Sequence, residues 1–148
     1  MSEKPTDIDG SCHCGNIRYT LRWPGSAIEI PVRECGCTFC QKHSGAWTSN
    51  RDSALRATIR NRSLVTEYQF GTATAIFHVC SSCGAVPFVT SLIDDNFYAV
   101  VNTNTFDNVG QFTFSRSATD FEGEGVGDRL ERRKRNWISD VQLVKSDA

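Results

Sequence analysis

Seven cysteines in a chain of 148 residues fall into three tight groups: Cys12-His13-Cys14, Cys35-Gly36-Cys37-Thr38-Phe39-Cys40 and Cys80-Ser81-Ser82-Cys83. One or two residues between sulfurs let a tight turn aim both at a single ion, and Gly15 and Gly84 follow two of the pairs where such turns need unusual backbone angles. Zinc takes four thiolate or imidazole ligands when its role is structural, and three plus an open position when it is catalytic. Seven thiols divide as four and three. Cys35, Cys37 and Cys40 crowd into six residues and can reach one ion with little help from the rest of the fold, so they form the three-ligand, catalytic site. Cys12, Cys14, Cys80 and Cys83 then supply two knuckles from distant parts of the chain, closing a long loop around a structural ion.

Two other thiol chemistries fit less well. An odd number of cysteines cannot pair fully within one chain, and a reducing compartment keeps thiols free, which argues against a disulfide framework. Iron–sulfur clusters also use thiolates, but the ferredoxin spacings are absent. A different alternative stays open: His13, His43 or His78 could complete the second site, making both ions structural and the chain a binding module for a protein or nucleic acid.

Composition sets the frame around these groups. The length suits one domain, and 39% apolar with 22% charged residues is enough to build a core. A net charge of -1 provides no global field for nucleic acid or an anionic membrane. The N-terminus, MSEKPTDIDG, has no apolar signal region, and no apolar run approaches the roughly 20 residues of a membrane span, so the expected compartment is the cytoplasm.

The elements that must hold the cysteines read as mainly β. Residues 1–10 are polar and contain Pro5 and Gly10, the pattern of a flexible N-terminal arm, and the single domain is expected over residues 11–148. Ile17, Tyr19, Leu21 and Trp23 alternate with Asn16, Arg18, Thr20 and Arg22, a strand with one buried face that Pro24-Gly25 ends. Short β-prone runs follow at Ile28–Val32, Leu64–Phe70, Ala73–Val79, Val86–Thr90, Phe97–Val101 and Gln111–Ser115, and the sheet is expected to be mostly antiparallel. A helical turn is expected within Cys37–Gly45 and a helix over Asp128–Trp137, capped by Asp128, with Thr119–Gly127 an acidic flexible loop. Arg129, Arg132, Arg133, Lys134 and Arg135 could meet an anionic partner, a substrate carboxylate included. The simpler reading docks the helix through Leu130 and Trp137 and leaves those charges in water, with no call for nucleic acid. Trp23 and Trp47 read as core or pocket-lining.

Three stretches carry a resemblance: Gly10-Ser11-Cys12-His13-Cys14-Gly15-Asn16-Ile17-Arg18-Tyr19, then Cys35 through Ala46 (CGCTFCQKHSGA), then Cys80-Ser81-Ser82-Cys83-Gly84. In order and spacing they resemble the glutathione-dependent formaldehyde-activating enzymes, S-(hydroxymethyl)glutathione synthase, a family that also takes in the centromere protein V-like proteins. The chain departs from the family pattern at Val79, where an aromatic usually precedes the cysteine, at Ala85, and in Asn102–Asn108, which lacks a histidine-containing stretch. The resemblance implies a β-tent fold of short antiparallel sheets around two zinc ions. It carries the structural ion onto Cys12, Cys14, Cys80 and Cys83 and the catalytic ion onto Cys35, Cys37 and Cys40, in agreement with the partition by crowding. The implied activity is that of a carbon–sulfur lyase, joining or cleaving a thiol such as glutathione and a small aldehyde such as formaldehyde. An open zinc position suits this reaction because it acidifies an incoming thiol. Gln41, Lys42 and Ser44, next to the three-cysteine group, are the expected substrate contacts, and His43 has the ordinary pKa of an acid–base group without being assigned that role.

Overall fold

The fold is held by alternation within strands and by register between them. The computed structural model describes residues 4–26, 29–119, 121 and 123–146. Its strands are β1 (Thr6–Ser11), β2 (Ile17–Trp23), β3 (Glu29–Cys35), β4 (Ala46–Thr48), β5 (Ala54–Ile59), β6 (Val65–Tyr68), β7 (Ile76–Cys80), β8 (Phe88–Ile93), β9 (Asn96–Asn102), β10 (Thr113–Thr119) and β11 (Asp140–Lys145), and its helices are α1 (Thr38–His43) and α2 (Val126–Asn136). The architecture is mainly β. One sheet has four strands in the order β1-β2-β5-β11, and the other has seven in the order β10-β3-β4-β9-β8-β7-β6. Most pairs are antiparallel, with β10 on β3 and β11 on β5 as the parallel exceptions. No helix among the described residues is long and apolar enough to cross a membrane.

The expected arm is a strand in part. Residues 6–11 form β1, which pairs antiparallel with β2 from Thr6 opposite Trp23 to Ser11 opposite Arg18. Its outward side chains are polar because that face meets water, while Ile8 is buried; the backbone ladder and the Asp7–Arg22 ion pair at 3.0 Å do the rest. Three more strands, β4, β5 and β11, lie in stretches where none is expected. The β-run expected from Ile28 is found from Glu29, Ile28 itself lying outside the described residues. The helix expected over Asp128–Trp137 starts two residues earlier, with Gly125 at its N-cap and Asp128 in its first turn.

The central strands of the seven-stranded sheet are buried on both faces, and its two faces do different things. One face packs on the four-stranded sheet. Ile30, Val32, Ala46, Phe88, Ala99 and Val101 meet Ile8, Ile17, Leu21, Leu55 and Ile59 there in one apolar cluster. The other face carries a second cluster around Cys40, Trp47, Val89, Val100 and Trp137. Successive side chains of a strand point to opposite faces, so register predicts membership. Arg33 lies opposite Trp47 and Thr119 opposite Cys35, while Phe77, Val89 and Val100 line up across β7, β8 and β9. Burial on both sides explains why Phe88–Thr90 and Ala99–Asn102 are continuously buried rather than alternating. After α2, Ile138 pairs with Ala99 and returns the chain to the sheet before β11 begins.

Candidate metal centres and cavity

The first and third cysteine groups meet between the sheets. Cys12 and Cys14 sit in the turn joining β1 to β2, Cys80 ends β7, and Cys83 lies in the turn that follows. Gly15 and Gly84 have φ of 84° and 82°, the left-handed region that lets each knuckle fold back on itself. The Gly15 amide then donates to the Cys12 carbonyl at 3.1 Å, and the Gly84 amide to the Cys80 carbonyl at 2.7 Å. All four sulfurs lie within 4.8 Å of one another. Cys12 and Cys14 are 3.7 Å apart at sulfur, and Cys14 and Cys80 are 3.5 Å apart. Zinc–sulfur bonds of about 2.3 Å in a tetrahedron place sulfurs about 3.8 Å apart, so the four fit a tetrahedral thiolate site.

Their acidities show what such an ion must overcome. Burial pushes the Cys80 thiol up to about 12 and raises that of Cys12. Burial also opposes ionisation at Cys83, but backbone hydrogen bonds from Ala85 and Cys14 outweigh it and bring the thiol down to about 6. The Asn16 amide lowers Cys14. Four thiolates this close repel one another strongly, and a divalent cation removes that penalty.

The second group lies on the opposite face of the seven-stranded sheet. Cys35 ends β3, two residues after Arg33 and on the same face. Cys37 caps α1, its sulfur accepting the Cys40 amide at 3.5 Å, and Ser44 ends that helix with a left-handed φ of 58°. Cys40 is buried, and its sulfur accepts a hydrogen bond from the Trp47 indole nitrogen at 3.4 Å. Trp47 can lie this way because Gly45 has no side chain; a Cβ there would stand 2.6 Å from the indole nitrogen. Phe39 anchors α1, with ring centroids 4.7 Å from Phe77, 5.2 Å from Tyr68 and 5.3 Å from Phe70. The three sulfurs are mutually within 4.8 Å, and no histidine or carboxylate among the described residues joins them. The Cys35 sulfur beside it, and then burial, raise the Cys40 thiol, while burial raises Cys37.

These sulfurs form part of the wall of a cavity of about 690 Å³. Phe77, Val89, Val100 and Trp47 give it an apolar floor. The opposite wall is α2 with the chain leading into it, and there Arg129, Arg132 and Arg133 point inward with Arg33 beside them. Arg132 makes a two-pronged ion pair with Glu124, at 3.0 and 3.1 Å, and stacks 3.6 Å over the Phe121 ring. Arg129 donates to the Phe121 carbonyl at 2.8 Å. Arg133 is 6% exposed and donates to the Thr74 carbonyl, the Thr74 hydroxyl and the Ser91 hydroxyl at 3.1, 2.8 and 3.1 Å. Burial, with Arg129 and Arg132 adding to it, brings the Arg133 guanidinium down to about 10.

Residues 7–122 match the family model described as glutathione-dependent formaldehyde-activating enzyme, a span that takes in all seven cysteines. The chain belongs to this family. A crystal structure of a Rhodobacter sphaeroides protein shares the fold, with a TM-score of 0.51 and 24% identity over 73% of this chain and 100% of its own. As a member of the formaldehyde-activating family, the chain has a function tied by description to formaldehyde and glutathione.

Within that family frame, several expected residues lie elsewhere. Gln41 and Lys42 are exposed and Ser44 gives its carbonyl to Asn104, and none of the three lines the cavity. The reason is helical geometry: α1 buries Cys40 and presents its other side to water. His43 stacks on Phe39 with centroids 5.4 Å apart, His13 is exposed, and His78 is buried with its Nε2 against the Thr90 hydroxyl at 2.7 Å. The solvated reading of the basic run is also corrected. Lys134 and Arg135 are not on the cavity wall, but Arg129 and Arg132 have side chains only 17% and 16% exposed and, with Arg133, face the cavity. The sequence signal was present in the i, i+3, i+4 spacing of 129, 132 and 133, which shares one helix face. What was missing was the cavity for that face to meet.

Proposed function

We propose that this chain is a zinc-dependent carbon–sulfur lyase that joins a thiol of the glutathione class to a small aldehyde such as formaldehyde, and cleaves the product in reverse. In the forward direction the thiol sulfur bonds to the carbonyl carbon and the thiol proton ends on the oxygen, giving a hydroxymethyl thioether without an oxidant or reductant. Cys35, Cys37 and Cys40 would hold the catalytic zinc, and Cys12, Cys14, Cys80 and Cys83 a structural one. The observation that carries the reading is a three-sulfur cluster set in a cavity wall with no fourth ligand among the described residues. When bound there, zinc supplies an open coordination position that lowers the pKa of an incoming thiol.

The chain's own residues supply the rest. Trp47 holds Cys40 in place by its 3.4 Å hydrogen bond. Phe77, Val89 and Val100 keep the cavity floor apolar, which shields the thiol and aldehyde from competing water. Three thiolates and a divalent ion sum to a negative site, and the guanidinium groups across the cavity offset that charge for an anionic thiol. A general base is not required, because solvent can exchange the proton. Dependence on reduced cysteines suits a reducing cytoplasm.

Magnetisation-exchange NMR of glutathione with labelled formaldehyde tests the reading, since it measures interconversion above the uncatalysed background. The zinc-loaded protein should accelerate exchange between free and hydroxymethylated glutathione at catalytic concentration. An unchanged exchange rate with this thiol and its close relatives would contradict the proposal.

A further inference from the structure

The four cavity arginines fall into two pairs. Arg129 and Arg132 are committed to the loop before α2: Arg132 to Glu124 and the Phe121 ring, Arg129 to the Phe121 carbonyl. Arg33 and Arg133 have no carboxylate within hydrogen-bond or ion-pair distance among the described residues. Arg33 gives its guanidinium to the Ser49 hydroxyl at 2.6 Å, and Ser49 in turn donates to the Asn136 carbonyl at 2.7 Å. Arg133 meets only the neutral oxygens of Thr74 and Ser91 and the face of Trp137 at 4.9 Å, and its Nε is buried with no hydrogen-bond partner. Glu124 acts on Arg133 only from beyond ion-pair distance, and two cations taken out of water with no carboxylate in contact are costly unless the site is built to receive an anion. Glu124 is the one described carboxylate on the cavity wall, against four guanidinium groups. Asp120 and Glu122 lie outside the described residues. Three of the four arginines, at 129, 132 and 133, also lie beyond residues 7–122, the span matched by the family model.

We infer that Arg33 and Arg133 are specificity-determining residues that bind anionic groups of the thiol, and that the cavity favours a thiol bearing two carboxylates, or an equivalent dianionic head, over one bearing fewer. The inference rests on the proposed function, because it names the substrate class of that same site. Its geometry is simple: the sulfur approaches the three-cysteine wall while the charged end lies against β3 and α2. The apolar floor between them contributes contact area and little discrimination. Arg133 acts from a fixed position, held by Thr74, Ser91 and Trp137, so its guanidinium need not be ordered when the ligand arrives.

Calorimetric titration of the zinc-loaded protein with 2-mercaptoethanol, 3-mercaptopropionate, mercaptosuccinate and glutathione, at one pH and ionic strength, reads the inference without turnover. Affinity should rise from the neutral thiol to the monocarboxylate to the dicarboxylate. One charge-assisted hydrogen bond to a guanidinium makes each step about tenfold. Arg33→Gln should flatten the series, weakening mercaptosuccinate binding by about tenfold more than 2-mercaptoethanol binding, and Arg133→Gln should do the same. Arg133→Lys keeps a charge at that position should the Gln variant fail to fold, and it should retain part of the preference. Arg135→Gln, on the exposed side of α2, should change nothing. Mercaptosuccinate binding no tighter than 2-mercaptoethanol would overturn the inference and leave the proposed reaction standing. A preference that survives undiminished in Arg33→Gln and in either Arg133 variant would also overturn it. If no thiol binds at all, the proposed function falls and the inference with it.

Discussion

The two cysteine clusters occupy opposite faces of one seven-stranded sheet, and the contrast between them accounts for most of the chain's organisation. The cluster of Cys12, Cys14, Cys80 and Cys83 lies with the inter-sheet core, supplies four sulfurs, and joins turns nearly seventy residues apart in sequence (80 against 12). The cluster of Cys35, Cys37 and Cys40 is local, supplies three sulfurs and opens on a cavity of about 690 Å³. A cross-link between distant segments restricts the unfolded chain, whereas a local one restricts it little. Position and connectivity are the grounds on which we propose stability for the first cluster and chemistry for the second.

The largest effect should come from the core side. Cys83→Ala leaves the buried Cys12 and Cys80 and the exposed Cys14 without their fourth partner. A structural zinc site contributes on the order of 10 kcal/mol, comparable to the whole stability of a domain. The variant should lose cooperative thermal unfolding by circular dichroism and both equivalents of metal. A well-folded Cys83→Ala protein would break the comparison.

On the cavity side the same kind of substitution should do less to the fold and more to function. Cys40→Ala should keep the circular dichroism spectrum, lose one equivalent of metal and abolish thiol–aldehyde exchange. A variant that unfolds as Cys83→Ala does would make the two clusters equivalent. A smaller effect is expected for Trp47→Phe, which keeps the ring packing and removes the donor to Cys40. Its metal affinity at the three-sulfur site, measured by chelator competition, should fall about tenfold, in the range found for hydrogen bonds to metal ligands. The four-sulfur site should be untouched.

Legibility in the sequence followed how local the determining physics is. Short cysteine spacings limit which sulfurs can come together, so the two sulfur clusters could be read before any fold was known. Strand β2 was equally plain because Ile17, Tyr19, Leu21 and Trp23 alternate with polar residues and all four are buried. Strand β1 was obscured because its outward residues are acidic or hydroxylated, and its partner β2 supplies the pairing that sequence pattern cannot display. Strand β5 did carry a signal, in Leu55, Ala57 and Ile59 alternating with Arg56 and Thr58, but it lies between segments rich in polar residues. The arginine wall was the least legible part. Arg129, Arg132 and Arg133 look like any solvated basic face until β10, running parallel to β3, brings the following loop and α2 over Cys35. Gln41, Lys42 and Ser44 show the converse: proximity in sequence to Cys40 suggested contact, and a helix turned them away.

Cobalt substitution followed by thiol titration tests the difference between the clusters most directly, because the sulfur-to-cobalt absorption of each site reports its own ligand set. The expected result is two bound cobalt ions, of which one changes spectrum on addition of glutathione, with that change absent in Cys40→Ala. Two sites that both stay unchanged, each with the spectrum of a closed tetrahedral site, would contradict an open position at Cys35, Cys37 and Cys40.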